Sequence, residues 1–263
     1  MFIAGRTFDF IFLLVLWIAI LVFMSIAEKW TVPLRTIAGV VAIDEAIGRS
    51  AETGRPCHFT TGMGSGSLNK IEDGPQIMAG LAVFSHVASL CAKQGVRLIV
   101  SVGQPDTIPI LEQYLRDAYN AENVPVPDMA ETLRFHTTDQ GAFSSSYVSI
   151  MRRERPASDI FIGPIWKESA TCIAASNQVG AMSIMGTARF AHMTWLSSFA
   201  DYLLIGEEIY AAGAQLSGDK PMINSIAVQD LGKAFALASI ILGMLLTLLL
   251  PGLGSAFKNL LGA

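Results

Sequence analysis

The feature that most limits what this chain can become is a pair of uncharged apolar runs, one near each end. Residues 10–27 read FIFLLVLWIAILVFMSIA, 18 residues without a charge. At about 1.5 Å per helical residue that is roughly 27 Å, close to the thickness of a bilayer's hydrocarbon core. Residues 234–250 read AFALASIILGMLLTLLL, 17 residues without a charge, closed by Pro251 and Gly252. Arg6 and Asp9 bound the first run on one side and Glu28, Lys29 and Trp30 on the other, with Trp30 where interfacial tryptophans sit. Lys233 and Lys258 flank the second. Both runs are apolar on every face, unlike a helix half-sunk in a soluble core. Ser25-Ile26-Ala27 has the small-x-small form of a signal cleavage site. The run nevertheless exceeds the usual apolar length of about 7–15 residues, and Asp9 stands where positive charge belongs.

Two spans put both termini on one side of a membrane and the intervening chain on the other. The expected organisation is an anchor over 1–30, a domain over 31–232, and a second span with a short tail over 233–263. Lys29, Arg35, Lys220 and Lys233 border the middle portion; Arg6, Lys258 and the amino group border the ends. That small excess favours a cytoplasmic middle domain in a two-pass membrane protein. Cys57, Cys91 and Cys172 lean the same way, being too few and too widely spaced for a disulfide framework or a CxxC metal knuckle.

Only 15% of the residues are charged, against about 25% in soluble domains. The stretch 31–232 holds 14 basic and 20 acidic residues, a net charge of −6. Phosphate backbones need clustered cations, so nucleic acid is not an expected partner.

The middle region alternates strand and helix. Expected strands are 58–62, 97–102, 132–137, 159–163, 181–186 and 202–206, several of them continuous apolar runs (LIVSV, IFIG, YLLIG) suited to burial on both faces. Expected helices are 75–93, 107–120, 139–153, 167–177, 189–199 and 207–216, preceded by an amphipathic helix over 34–50. The fold class is therefore α/β: a mostly parallel, Rossmann-like sheet of about six strands between an N-terminal and a C-terminal transmembrane helix. The stretches 30–34 and 218–230 read as linkers.

In such a sheet ligands sit beyond the carboxyl ends of the strands. The first such loop holds Gly62, Gly64, Ser65 and Gly66, whose backbone N–H groups suit a phosphate. It lacks the direct run into a helix of a dinucleotide fingerprint and the Lys-Ser/Thr pair of a P-loop. Gly103 follows the second strand, beside Asp106, which reads as a helix cap. His136, Thr137 and Asp139 follow the third, and His136 is the best placed of the four histidines for proton chemistry. Trp166, Lys167 and Glu168 follow the fourth strand, Thr187 and Arg189 the fifth, and Glu207 and Glu208 the sixth, where a helix dipole also accounts for two acids. The spacing shows no metal motif and no nucleophile elbow, so no cofactor is expected. Helices 166–177 and 207–216 are rich in Ala, Ser and Gly, which suits close packing inside the domain or between subunits.

Five segments carry a family likeness: LRTIAGVVAIDEAIGRSAETGRP (34–56), VRLIVSVGQPD (96–106), FHTTDQGAFSSSYVSIMRRERPA (135–157), GAMSIMGTARFAH (180–192) and DYLLIGEEIYAAGAQLS (201–217). Together they resemble an uncharacterised membrane-protein family of archaea and of bacteria such as the Chloroflexi. The resemblance implies that anchor and α/β domain belong together and that residues 1–27 are retained. It lends no catalytic residue.

The leading functional expectation is a membrane-anchored structural or assembly component, not assigned as an enzyme, that self-associates and has the lipid bilayer and other membrane proteins as partners. A tethered nucleotide or small-ligand sensor using the strand-end loops is the alternative. A membrane-proximal enzyme using His136 and nearby acids is the third.

Overall fold

Every strand expected from an apolar run is present in the computed structural model, which describes residues 7–26, 36–63 and 66–249. The strands are β1 (Cys57–Thr60), β2 (Leu98–Val102), β3 (Leu133–Phe135), β4 (Ser158–Ile162), β5 (Met182–Thr187) and β6 (Tyr202–Ile205). They form one all-parallel sheet in the order β3-β2-β1-β4-β5-β6. β1 is paired with β2 on one side and β4 on the other, so the order reverses between β1 and β4.

Helices fill every crossover. They are α1 (Thr7–Ser25), α2 (Ala38–Thr53), α3 (Gly74–Gln94), α4 (Ile108–Ala121), α5 (Met129–Thr132), α6 (Gln140–Glu154), α7 (Ser169–Gln178), α8 (Phe190–Phe199), α9 (Glu208–Ser217) and α10 (Lys220–Leu249). Strand alternation sends side chains to two cores. Cys57, Phe59, Val100, Ile160, Ile162 and Ile184 face the layer of α2, α3, α4 and α9. Phe161 and Met185 face the layer of α6, α7 and α8, with Phe143, Tyr147, Cys172 and Leu196. Burial on both faces explains the apolar runs of β2 and β4, whereas β6, whose YLLIG run suggested the same burial, is only partly buried. At the sheet's edge β3 keeps three residues, because Thr132, expected in the strand, ends the single turn of α5.

The small residues of α9 are spent inside the domain: a Cβ on Gly213 would stand 3.4 Å from Ala79 and Ala82 of α3. Cys57 and Cys91, 34 positions apart in sequence, meet in the first core. Their mutual hydrogen bond and then burial push the Cys91 thiol well up.

The chain divides into two compact units, Arg35–Ser217 and the combination of Met1–Leu34 with Gly218–Ala263. In the second unit α1 and α10 pack antiparallel. Asn224 Nδ2 donates to the Phe23 carbonyl at 3.1 Å, Leu16 lies against Gly232, and the Phe12 and Phe235 rings stack at 5.2 Å. Residues 220–230, read above as linker, are helical. Asp219 accepts from Met222 N–H, and Pro221 sits in the first turn, where its missing N–H costs nothing. Leu34, Arg35 and the tail from Leu250 onward lie outside the described residues, as does Trp30.

Among the described residues two helices, α3 and α10, are long and apolar enough to cross a membrane, judged by length and composition; α3 is mostly buried in the core and α10 is not buried. α1 adds a shorter apolar stretch, Phe10–Phe23. The apolar runs of α1 and α10 are offset. Phe12 lies beside Phe235, so the start of α1 at Thr7 falls level with roughly Ile240, and α10 runs on past it.

Candidate functional site

The reversal between β1 and β4 is where a doubly wound sheet opens a ligand crevice. Here the segments leaving those strands meet each other. A Cβ on Gly163 would overlap the Thr61 carbonyl oxygen, and one on Gly62 would lie 2.7 Å from Pro164. Met63 N–H donates to the Pro164 carbonyl at 3.1 Å, and its side chain is fully buried in the second core. Gln104 bridges from β2, donating from Nε2 to the Met63 carbonyl at 2.7 Å and accepting from Thr61 Oγ1 at 3.1 Å. Gly62 N–H donates to Thr60 Oγ1 and Gly66 N–H to the Met63 carbonyl. The glycines thus serve close backbone approach, and these N–H groups are already spent within the protein.

The other expected residues distribute around this edge. Gly62, Gly66 and Gly103 are buried beside Gln104; Gly64 and Ser65 lie outside the described residues. Asp106, expected as a cap, instead accepts from Ser67 Oγ and Leu68 N–H, tying down the glycine segment. Thr187 donates to buried Gln76 at 3.2 Å, and the same Gln76 oxygen accepts from Ala188 N–H. Thr137 accepts from Asp139 N–H, and Asp139 caps α6 by accepting from Ala142 N–H at 2.8 Å. Glu207 is exposed, while Glu208 accepts from Ile205 N–H. Among the described residues, Thr187 turns to Gln76 and the glycine segment to Pro164 and Gln104.

A second cluster lies just beyond β4 and β5. Arg189 pairs with buried Asp73 at 2.6 Å, and its guanidinium covers the Trp166 ring at 4.5 Å. Glu168 Oε2, Arg189 Nε and His192 Nδ1 are shielded from solvent and have no hydrogen-bond partner among the described residues. Burial and then Arg189 hold His192 below its ordinary range.

The most connected polar group is one the spacing did not reveal. His58 and Asp159 are register partners on β1 and β4, and His58 Nδ1 stands 2.8 Å from Asp159 Oδ1. His58 Nε2 stands 2.7 Å from Ser101 Oγ of β2, and the Tyr147 hydroxyl of α6 donates to Asp159 Oδ2 at 2.5 Å. Beyond Ser101, at 3.3 Å, comes His136 Nε2. His58, Ser101 and Asp159 are fully buried, Tyr147 likewise, and His136 is partly exposed. Burial, and then Asp159, push the Tyr147 phenol well up; burial, then His58, Arg134 and Arg153, hold His136 down to about 4.

Ser101, His58 and Asp159 have the distances of a nucleophile, base and orienting acid. Two features remove hydrolysis. Ser101 has no surface to offer a substrate, and it stands inside β2, whose backbone is laddered to β1 on one side and β3 on the other instead of presenting N–H groups to an oxyanion. What the arrangement can do is hold and move a proton. A signal existed in the sequence: CHFT, LIVSV and SDIFI place His58, Ser101 and Asp159 inside strands buried on both faces.

A family model described as a domain of unknown function (DUF6754) matches residues 1–256. No curated protein matches the chain, and no solved structure matches it.

Proposed function

We propose that this chain, which belongs to the DUF6754 family, is a membrane-anchored α/β module that associates with copies of itself as a structural component of a membrane complex. The observation that carries this reading is the filled crevice. Thr61, Met63, Gln104 and Pro164 satisfy one another where a nucleotide would otherwise bind. An outer surface offers what the crevice does not. Between α6 and α7 lies an open groove of about 470 Å³, lined by Ser144, Ser145, Val148, Arg152, Ala174 and Gln178 among others, where small side chains permit close approach by another chain. The exposed apolar side chains of α1 and α10 support the anchoring half of the reading, since water tolerates such surface poorly. The bilayer and other membrane proteins are the partners this role requires.

Disulfide trapping tests it in native membranes. The three natural cysteines are buried, so Ala174→Cys supplies the one exposed thiol among the described residues. The reading expects an oxidised species of twice the monomer mass from Ala174→Cys and none from Val41→Cys on α2. No species from either position contradicts self-association through this groove.

One observation favours a second reading, a small-ligand sensor. The shielded, unpartnered atoms of Glu168, Arg189 and His192 beside Trp166 suit a small polar molecule with both a donor and an acceptor. Such a ligand would add mass to the intact protein.

A further inference from the structure

The buried chain of side chains has a property that neither an assembly module nor a ligand sensor requires. We propose that Ser101 couples two protonation sites, so that a proton taken up by His136 at the edge of the sheet is stored on His58 against Asp159, beneath α6.

The donors and acceptors settle the direction. Asp159 accepts from Tyr147, and its other oxygen faces His58 Nδ1, so Nδ1 carries a proton and Nε2 of neutral His58 accepts from Ser101. Ser101 Oγ then accepts from His136 Nε2–H. A proton added to His136 Nδ1 makes that ring an imidazolium. Its Nε2 proton passes to Ser101 Oγ while the Ser101 hydroxyl proton passes to His58 Nε2. The result is an imidazolium on His58 beside the Asp159 carboxylate, a neutral His136 protonated on Nδ1, and a Ser101 hydroxyl now donating to His136. One proton has entered, and every hydrogen bond survives with its sense reversed between Ser101 and the two rings.

The surrounding charges drive the transfer inward. His136 faces Ser101 of β2, the Phe143 ring of α6 at 5.9 Å, and the cations Arg134 of β3 and Arg153 of α6, which repel a second positive charge. His58 faces Ser101, Asp159 of β4 and the Tyr147 ring of α6 at 4.8 Å. The Cys172 thiol of α7 also lies near Asp159, and burial pushes it up to about 12 and so keeps it neutral. A carboxylate at one end and two guanidinium groups at the other favour the charge on His58.

Nitrogen-15 spectra of histidine-labelled full-length protein in nanodiscs test this. There are four histidines, and His86→Gln and His192→Gln assign the other two. On acidification the account expects His58 Nε2 to gain a proton while His136 exchanges its Nε2 proton for one on Nδ1. In Ser101→Ala, His136 becomes an ordinary imidazolium and His58 stops responding in that window, and Ser101→Thr restores the coupling. A wild-type His58 whose Nε2 stays unprotonated while His136 becomes an imidazolium overturns the proposal, as does a Ser101→Ala protein that titrates like the wild type. If Ser101→Ala does not fold, the wild-type titration alone decides. Oligomer mass does not enter, so this test and the test of self-association fail separately.

Discussion

Gly163 and Thr61 touch through their backbones: a Cβ on the first would overlap the carbonyl oxygen of the second. This contact closes the switch point of the sheet, and it requires a residue without a side chain. Gly163 also has φ 151°, which an alanine enters with strain. Gly163→Ala is expected to cost about 3 kcal/mol, from overpacking together with backbone strain. Chemical denaturation of the full-length protein in detergent measures it. A midpoint equal to that of the wild type would mean that the two segments part easily and the crevice is open to ligands.

Tyr147→Phe removes one of the two partners of the Asp159 carboxylate without emptying the core. The expected loss is about 1–3 kcal/mol, that of a buried acceptor left short of a donor. Asp159→Ala strands His58 as well and should cost more, about 3–5 kcal/mol. Equal denaturation midpoints for the two variants would contradict the chain of hydrogen bonds described here.

Glu154 gives a pH dependence with a definite sign. Hydrogen bonds from Arg134 and then Arg97 hold its carboxyl down to about 2 in the fold. The unfolded chain protonates it near about 4.3, so the contribution to stability is fully present above that value and is lost as pH falls toward 2. Thermal melts of wild type and Glu154→Gln should therefore differ most at neutral pH and converge in acid. A constant gap down to pH 2 would mean that the two arginines do not act through charge.

Much of this architecture was legible in the sequence, for one reason. A strand buried on both faces must be apolar at every position but a few, and β2 and β4 announce themselves that way. The first half of α10 was hidden because Asp219 and Pro221, here a cap and a first-turn residue, are also the commonest turn residues. The chain from His136 to Asp159 was hidden because its members come from β1, β2, β4 and the end of β3. Only pairing, His58 opposite Asp159 for one, brings them together. The glycines after β1 suit a phosphate by composition but match neither a dinucleotide fingerprint nor a P-loop. Their role against Pro164 and Gln104 depends on partners about 100 and 40 positions away, which no local pattern carries.

The offset of α1 against α10 makes a prediction that cross-linking can check. Cysteines replacing Phe12 and Phe235 should form a disulfide on mild oxidation, because those side chains face each other. Cysteines replacing Ile18 and Leu242, the centres of the two apolar runs, should not. The reverse outcome would mean that the runs lie centre to centre, as two spans of one slab.

The claim that organises the rest is that this chain works by associating through its surface and not by binding in its crevice. Native mass spectrometry of the full-length protein released from gentle detergent addresses it directly, with Ala174→Arg beside the wild type. The account predicts one multimeric stoichiometry for the wild type with no mass beyond protein and lipid, and a smaller particle for Ala174→Arg. A monomer carrying a few hundred daltons of bound small molecule would contradict it and direct attention to Glu168, Arg189 and His192.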